Sequence, residues 1–110
     1  NVSDGKLNCH LTQRSGDIAL GIPFNLACYS ALTMAIAQEV GLEPGVFAHT
    51  IVDAHIYVNH IDGLKEQLTR SPKALPKLKI ANKPVDELSF GDFELTGYDP
   101  DPLIRFEVAV

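Results

Sequence analysis

The chain has 110 residues, the size of one ordinary domain, and its 45% hydrophobic and 21% charged residues argue against disorder. Nine Lys and Arg against fourteen Asp and Glu leave a net charge of −5, which argues against the broad basic footprint of a nucleic-acid-binding domain, so any bound anion must be held by a few local groups. No apolar run reaches the ~18 residues a membrane span needs, and Cys9 and Cys28 form neither a Cys-x-x-Cys pair nor a disulfide framework, which fits a reducing cytoplasm and two thiols acting as small apolar residues.

Asp4-Gly5 accepts the positive backbone angles of a type I′ hairpin turn. After it, Leu7, Cys9, Leu11 and Gln13 alternate with Asn8, His10, Thr12 and Arg14, so Lys6 to Arg14 reads as a strand. Only three residues precede the turn, and the chain therefore reads as the C-terminal portion of a larger polypeptide. Ser15-Gly16-Asp17 break the alternation, and after the run Ile18 to Ile22, Pro23 leads into a mostly buried helix over Phe24 to Val40, ended by Gly41. The β-branched and aromatic residues from Val46 to Val58 predict one long strand or two short ones.

Asn59 is placed to cap a helix from His60 to about Thr69, with Ile61, Leu64 and Leu68 as its apolar stripe. Pro72 and Pro76 mark an extended connection. Lys77 to Ile80, Phe93 to Leu95 and Ile104 to Val110 are short strand candidates, separated by turns at Asn82-Lys83-Pro84, Gly91-Asp92 and Tyr98-Asp99-Pro100. Without repeats or low-complexity tracts, the whole is one α+β unit.

Three polar clusters could carry chemistry. In Gln13-Arg14-Ser15-Gly16-Asp17, a guanidinium fork, a hydroxyl and a glycine that lets a ligand approach the backbone can hold a phosphate, or form a surface turn with a salt bridge. In Gly21-Ile22-Pro23-Phe24-Asn25, the Asn25 carboxamide either caps the helix or, having both donor and acceptor, reads the edge of a planar heterocycle. In Asp53-Ala54-His55-Ile56-Tyr57, His55 and Tyr57 share one face of a strand and can grip a hydroxyl, or are structural. With His49 and His60 they fit no standard zinc spacing, so no metal is expected.

Taken in order with Val58-Asn59-His60, Gln67 to Pro72, Pro76-Lys77-Leu78, Asp92-Phe93-Glu94, Gly97 to Pro100 and the terminal Val108-Ala109-Val110, these clusters make a sequence that resembles the C-terminal portion of the thymidylate synthase family over nearly its whole length. The resemblance implies an α+β fold, a mixed sheet packed with a long buried helix. It also implies reductive methylation of dUMP to dTMP with 5,10-methylenetetrahydrofolate as co-substrate, in a cytoplasmic homodimer whose subunits share their active sites. It implies dUMP binding by Gln13, Arg14, Ser15, Asp17, Asn25, His55 and Tyr57. Arg14 and Ser15 would take the phosphate, Asn25 the uracil edge, and His55 with Tyr57 the ribose 3′-hydroxyl. It implies a folate side formed by Asp17, Leu20, Gly21, Phe24, Val108 and Ala109, with Val108-Ala109-Val110 folding over the ligands.

The family's nucleophilic cysteine is expected upstream of Asn1, since Cys9 and Cys28 stand outside its motif. Arg105-Phe106-Glu107 replaces the Lys-Ala-Pro run usual before the terminus. The Asn at position 25 favours uracil over cytosine. Hydroxymethylation of dUMP or dCMP, or a noncatalytic fragment binding a nucleotide or the protein's own messenger RNA, are the competing readings.

Overall fold

The computed structural model describes residues 1–108. Asp4 (φ 50°) and Gly5 (φ 72°) make the expected tight turn, pairing strand β1 (Val2–Ser3) antiparallel with β2 (Lys6–Asp17) through Ser3 opposite Lys6 and Val2 opposite Leu7. Strand β2 does not stop at Arg14. Ser15, Gly16 and Asp17 continue it because they pair with Asp53, Ala54 and His55 of β3 (Glu43–His55), a parallel neighbour far away in sequence. Gly16 thus serves close packing here. A Cβ at this position would lie 2.5 Å from Ile22 Cδ1 and 3.1 Å from Ile51 Cγ2.

Helix α1 (Gly21–Glu39) forms the crossover between the two parallel strands, giving a βαβ unit. It starts before Phe24, with Pro23 in the first turn, where a missing N–H breaks no intrahelical bond. It ends as expected: Gly41 is left-handed (φ 68°), the Leu42 N–H donates to the Ala37 carbonyl at 2.8 Å and the Gly41 N–H to Gln38 at 3.2 Å, so two end carbonyls are satisfied.

The helix is only partly buried. Ile22, Thr33, Ala35 and Ala37 are enclosed, whereas Phe24, Leu32 and Ile36 are exposed, because apolar residues surround the whole helix and this chain covers only part of it. Tyr29 stacks on Phe47 at 6.4 Å, which sets the face of β3 carrying Phe47, His49 and Ile51 beneath the helix.

Strand β3 is one continuous element ending at His55, so Tyr57 is not in a strand. Tyr57 is extended (φ −71°, ψ 145°) and precedes a 3-10 turn over Val58–His60 that runs into α2 (Ile61–Leu68). Asn59 lies inside that turn and caps nothing; its amide donates to the Glu107 carbonyl at 3.3 Å. Strands β4 (Lys77–Ile80) and β5 (Phe93–Thr96) make a separate antiparallel pair. The end of α1 anchors it, with Gln38 Nε2 donating to the Ala81 carbonyl at 2.8 Å and the Glu39 carboxylate accepting from the Val85 N–H at 3.2 Å.

Gly91-Asp92 falls in a 3-10 turn over Phe90–Asp92, closed by a reciprocal Ser89–Asp92 capping box. Lys83, 2.6 Å from Asp92, and the Ser89 N–H and hydroxyl hold the Asp92 carboxyl down at about 2. Residues Ile104 to Val108 form no strand. Phe106 packs instead on Gly63 of α2, where a Cβ would meet its ring at 2.6 Å, so a side-chain contact replaces strand pairing. The predicted strand's last residues, Ala109 and Val110, lie outside the described residues. Among the described residues no helix is long and apolar enough to cross a membrane.

Candidate functional site

The carboxyl ends of parallel β2 and β3 meet the first turns of α1, and this junction gathers most of the polar residues singled out above. Ligands of open α/β sheets favour such a position, outside the carboxyl ends of parallel strands.

Gln13 is the hub. Its Nε2 donates to the Ser15 carbonyl at 2.8 Å and to Asn25 Oδ1 at 3.1 Å, while its Oε1 accepts from His49 Nε2 at 2.9 Å. The directions follow from one another: His49 donates to the only acceptor on Gln13, which turns the Gln13 NH₂ toward Asn25 and requires Asn25 to offer its oxygen. Asn25 therefore keeps two N–H donors and one oxygen lone pair for something else. It stands inside α1, which begins at Gly21, and makes no cap.

Asp17 closes β2. Its Oδ1 accepts from the Ala19 N–H at 3.0 Å, fixing the carboxylate over the strand-to-helix connection, and the Ile18 N–H donates to the His55 carbonyl at 3.0 Å, tying the two strand ends together. His55 and Tyr57 remain neighbours although only one is in the strand, with ring centroids 5.3 Å apart, edge to face. His55 Nδ1 donates to the Asp53 carbonyl at 3.3 Å, leaving Nε2 and the Tyr57 hydroxyl for a ligand.

Strand alternation sends Arg14 to the side of β2 opposite Gln13, where it is exposed and has no ion-pair partner among the described residues; the salt-bridged surface turn is not formed. The fold therefore gathers Gln13, Asn25 and Asp17 closely, and His55 with Tyr57 beside them. Leu20 is half-buried at the start of α1, next to Gly21, while Phe24 (70%) and Val108 (77%) are exposed; Ala109 lies outside the described residues. Cys9 is half-buried in β2 and Cys28 is exposed on α1. Among the described residues no three His, Cys, Asp or Glu side chains gather as a metal site.

Two residues escaped the sequence reading except as metal candidates, His49 and His60. His49 sits between Phe47 and Ile51 on the covered face of β3, and a polar residue inside an apolar alternation was the available signal. His60 is wholly buried, and nothing in the local pattern distinguishes it from a surface helix residue.

The family model described as Thymidylate synthase matches residues 1–110. The chain is 55% identical over 111 residues to the thymidylate synthases of Listeria innocua serovar 6a and Listeria monocytogenes serovar 1/2a, covering 99% of this chain and 35% of each relative. It is 56% identical over 110 residues to that of Mycoplasma pneumoniae, covering 99% of this chain and 38% of the relative. The chain thus spans little more than a third of the length of the curated relatives it matches.

Proposed function

This chain belongs to the thymidylate synthase family, and on that premise we propose that it supplies the nucleotide-binding, C-terminal portion of an enzyme that methylates dUMP to dTMP with 5,10-methylenetetrahydrofolate. The observation that carries the reading is the oriented carboxamide of Asn25 beside Asp17, at the carboxyl ends of β2 and β3. Uracil presents a ring N–H next to a carbonyl oxygen, and Asn25 keeps the matching lone pair and N–H donors. Cytosine presents the reverse pair. To read it, Asn25 would have to turn its NH₂ onto the Gln13 NH₂, leaving two donors face to face and losing the 3.1 Å bond.

In this assignment Arg14 and Ser15 take the 5′-phosphate, which suits a locally placed guanidinium on an otherwise acidic chain. His55 and Tyr57 hold the ribose 3′-hydroxyl. Gln13 lies beside the nucleotide and orients Asn25. Asp17 serves both ligands, with its backbone to the pyrimidine and its carboxylate to the pterin. Leu20, Gly21, Phe24, Val108 and Ala109 line the folate side. The thiolate that adds to the pyrimidine comes from the parent polypeptide upstream of Asn1.

The rest of that polypeptide covers the exposed side of α1, making it the long buried helix of the intact fold. The uncovered sheet face, with Val46 and Val52 more than two-thirds exposed, stacks on a second copy in a homodimer. The site works in the cytoplasm. Hydroxymethylation, with water in place of the final hydride, uses the same binding residues, and a messenger-RNA-binding role is disfavoured by the net charge of −5.

The test is an intact-mass spectrum of the parent protein after incubation with 5-fluoro-dUMP and methylenetetrahydrofolate. A covalent adduct carrying both ligands is the expected result. An unmodified mass under conditions that label a control synthase would overturn the reading.

A further inference from the structure

Outside the assigned contacts, one titratable side chain among the described residues is enclosed completely. His60 has no exposed surface, and its two ring nitrogens face different partners. Nε2 donates to the Glu107 carbonyl at 2.7 Å, so this nitrogen carries a proton. Nδ1 has no hydrogen-bond partner among the described residues and is sealed from water, and it lies 3.7 Å from Asp17 Oδ1. The ring is held edge to face by Tyr57 at 5.7 Å and by Phe106 at 5.2 Å. Phe106 in turn rests on Gly63 of α2, so the ring cannot move away without displacing the segment before Glu107.

Burying a ring nitrogen without a partner is destabilising, and such an atom calls for a reason. The two partners of His60 supply one, because they lie far apart in sequence and meet only at this ring: the segment leading into Val108, and the carboxylate closing β2. We infer that His60 is a positioning residue, bridging the seated carboxyl-terminal segment to the Asp17 carboxylate. With Nε2 committed to Glu107, Nδ1 is the ring atom left to face the Asp17 carboxylate, 3.7 Å away. Docking of the terminal segment orients the ring, and the ring orients Asp17. The inference rests on the reading of Asp17 as a ligand-facing residue, but the coupling between segment and carboxylate is a property of this chain.

The test uses the full-length parent protein and the variants His60→Gln, Asp17→Ala and their combination. Glutamine reaches the place of Nε2 and keeps a donor for Glu107, while removing the atom that faces Asp17. In His60→Gln the dUMP dissociation constant should stay within twofold and the melting temperature within a few degrees, while kcat/KM for the folate co-substrate falls at least tenfold. Combining it with Asp17→Ala should cost no more than Asp17→Ala alone. Backbone NMR gives a readout independent of turnover: the amide resonances of residues 104–108 should shift in Asp17→Ala although Asp17 touches them only through His60. Equal loss of dUMP affinity, stability and turnover in His60→Gln, additive effects in the double variant, or unmoved resonances at 104–108 would each overturn the coupling. A parent protein inactive on dUMP would refute the functional reading alone, and the resonances would still decide the role of His60.

Discussion

Replacing Gly16 with alanine probes the contact that sets the start of α1 against the end of β2. The backbone at Gly16 is not left-handed, so alanine can adopt it, and stiffening the unfolded chain would by itself stabilise by about 0.4–1 kcal/mol. The new Cβ, however, would stand 2.5 Å from Ile22 Cδ1 and 3.1 Å from both Ile22 Cγ1 and Ile51 Cγ2. Carbon atoms in ordinary contact lie about 3.5–4.0 Å apart, so Ile22 has to give way by about 1 Å. Ile22 is only 8% exposed and cannot swing into solvent.

Overfilling such a position costs about 1–3 kcal/mol, which leaves a net loss of about 0.5–2 kcal/mol. Ile22→Val deletes the closest atom at its own cost of about 0.5–1.5 kcal/mol, so the double variant should be about 1 kcal/mol more stable than the sum of the two changes. Urea unfolding of the four proteins, in the full-length parent, measures this directly. If Gly16→Ala unfolds like the parent, or the two changes simply add, the strand end and helix start are not held by this contact.

The site assignments make sharper demands on binding. Arg14→Ala should weaken dUMP by about 1.5–3 kcal/mol, the scale of a charge-assisted hydrogen bond, and an unchanged dissociation constant by calorimetry would remove Arg14 from the site. Asn25→Asp should move preference from dUMP toward dCMP, because a carboxylate has no donor for the uracil oxygen; equal responses to both nucleotides would leave Asn25 as a structural partner of Gln13 only. Asp92, held at about 2 against its usual 3.8, contributes stability that is complete above pH about 4 and is lost as pH falls through about 2. Lys83→Met should bring its NMR titration back up toward 3.8, and an unshifted titration would mean that the ammonium at 2.6 Å is not the cause.

Local chemistry sufficed where an element depends on its own neighbours. Asp4-Gly5, Gly41 and the bounds of β4 were legible because a tight turn, a left-handed helix end and a short alternation are decided within a few residues. What local reading missed was decided across the chain. Ser15-Gly16-Asp17 has turn chemistry but is strand, because β3 offers it a partner. Ile104 to Val108 alternates yet finds no partner strand, and Phe106 settles on Gly63. Tyr57 was placed correctly beside His55 for the wrong reason, since an extended residue after the strand keeps the rings together. The motif positions of the candidate site were readable, but the Gln13–Asn25–His49 network was not. It joins β2, α1 and β3, and no sequence window spans all three.

The parallel pairing of β2 with β3 also sets an order of folding. The β1–β2 hairpin closes over Asp4 and Gly5 alone, and α1 can form from local contacts, but Lys6 meets Glu43 only after the whole helix has been laid across between them. The entropy of closing that loop is lost before any β2–β3 contact compensates for it. Gln13 and Asn25 lie before the crossing and His49 after it. The three-residue network is therefore complete only once β3 has docked, so the candidate site and the sheet are completed together.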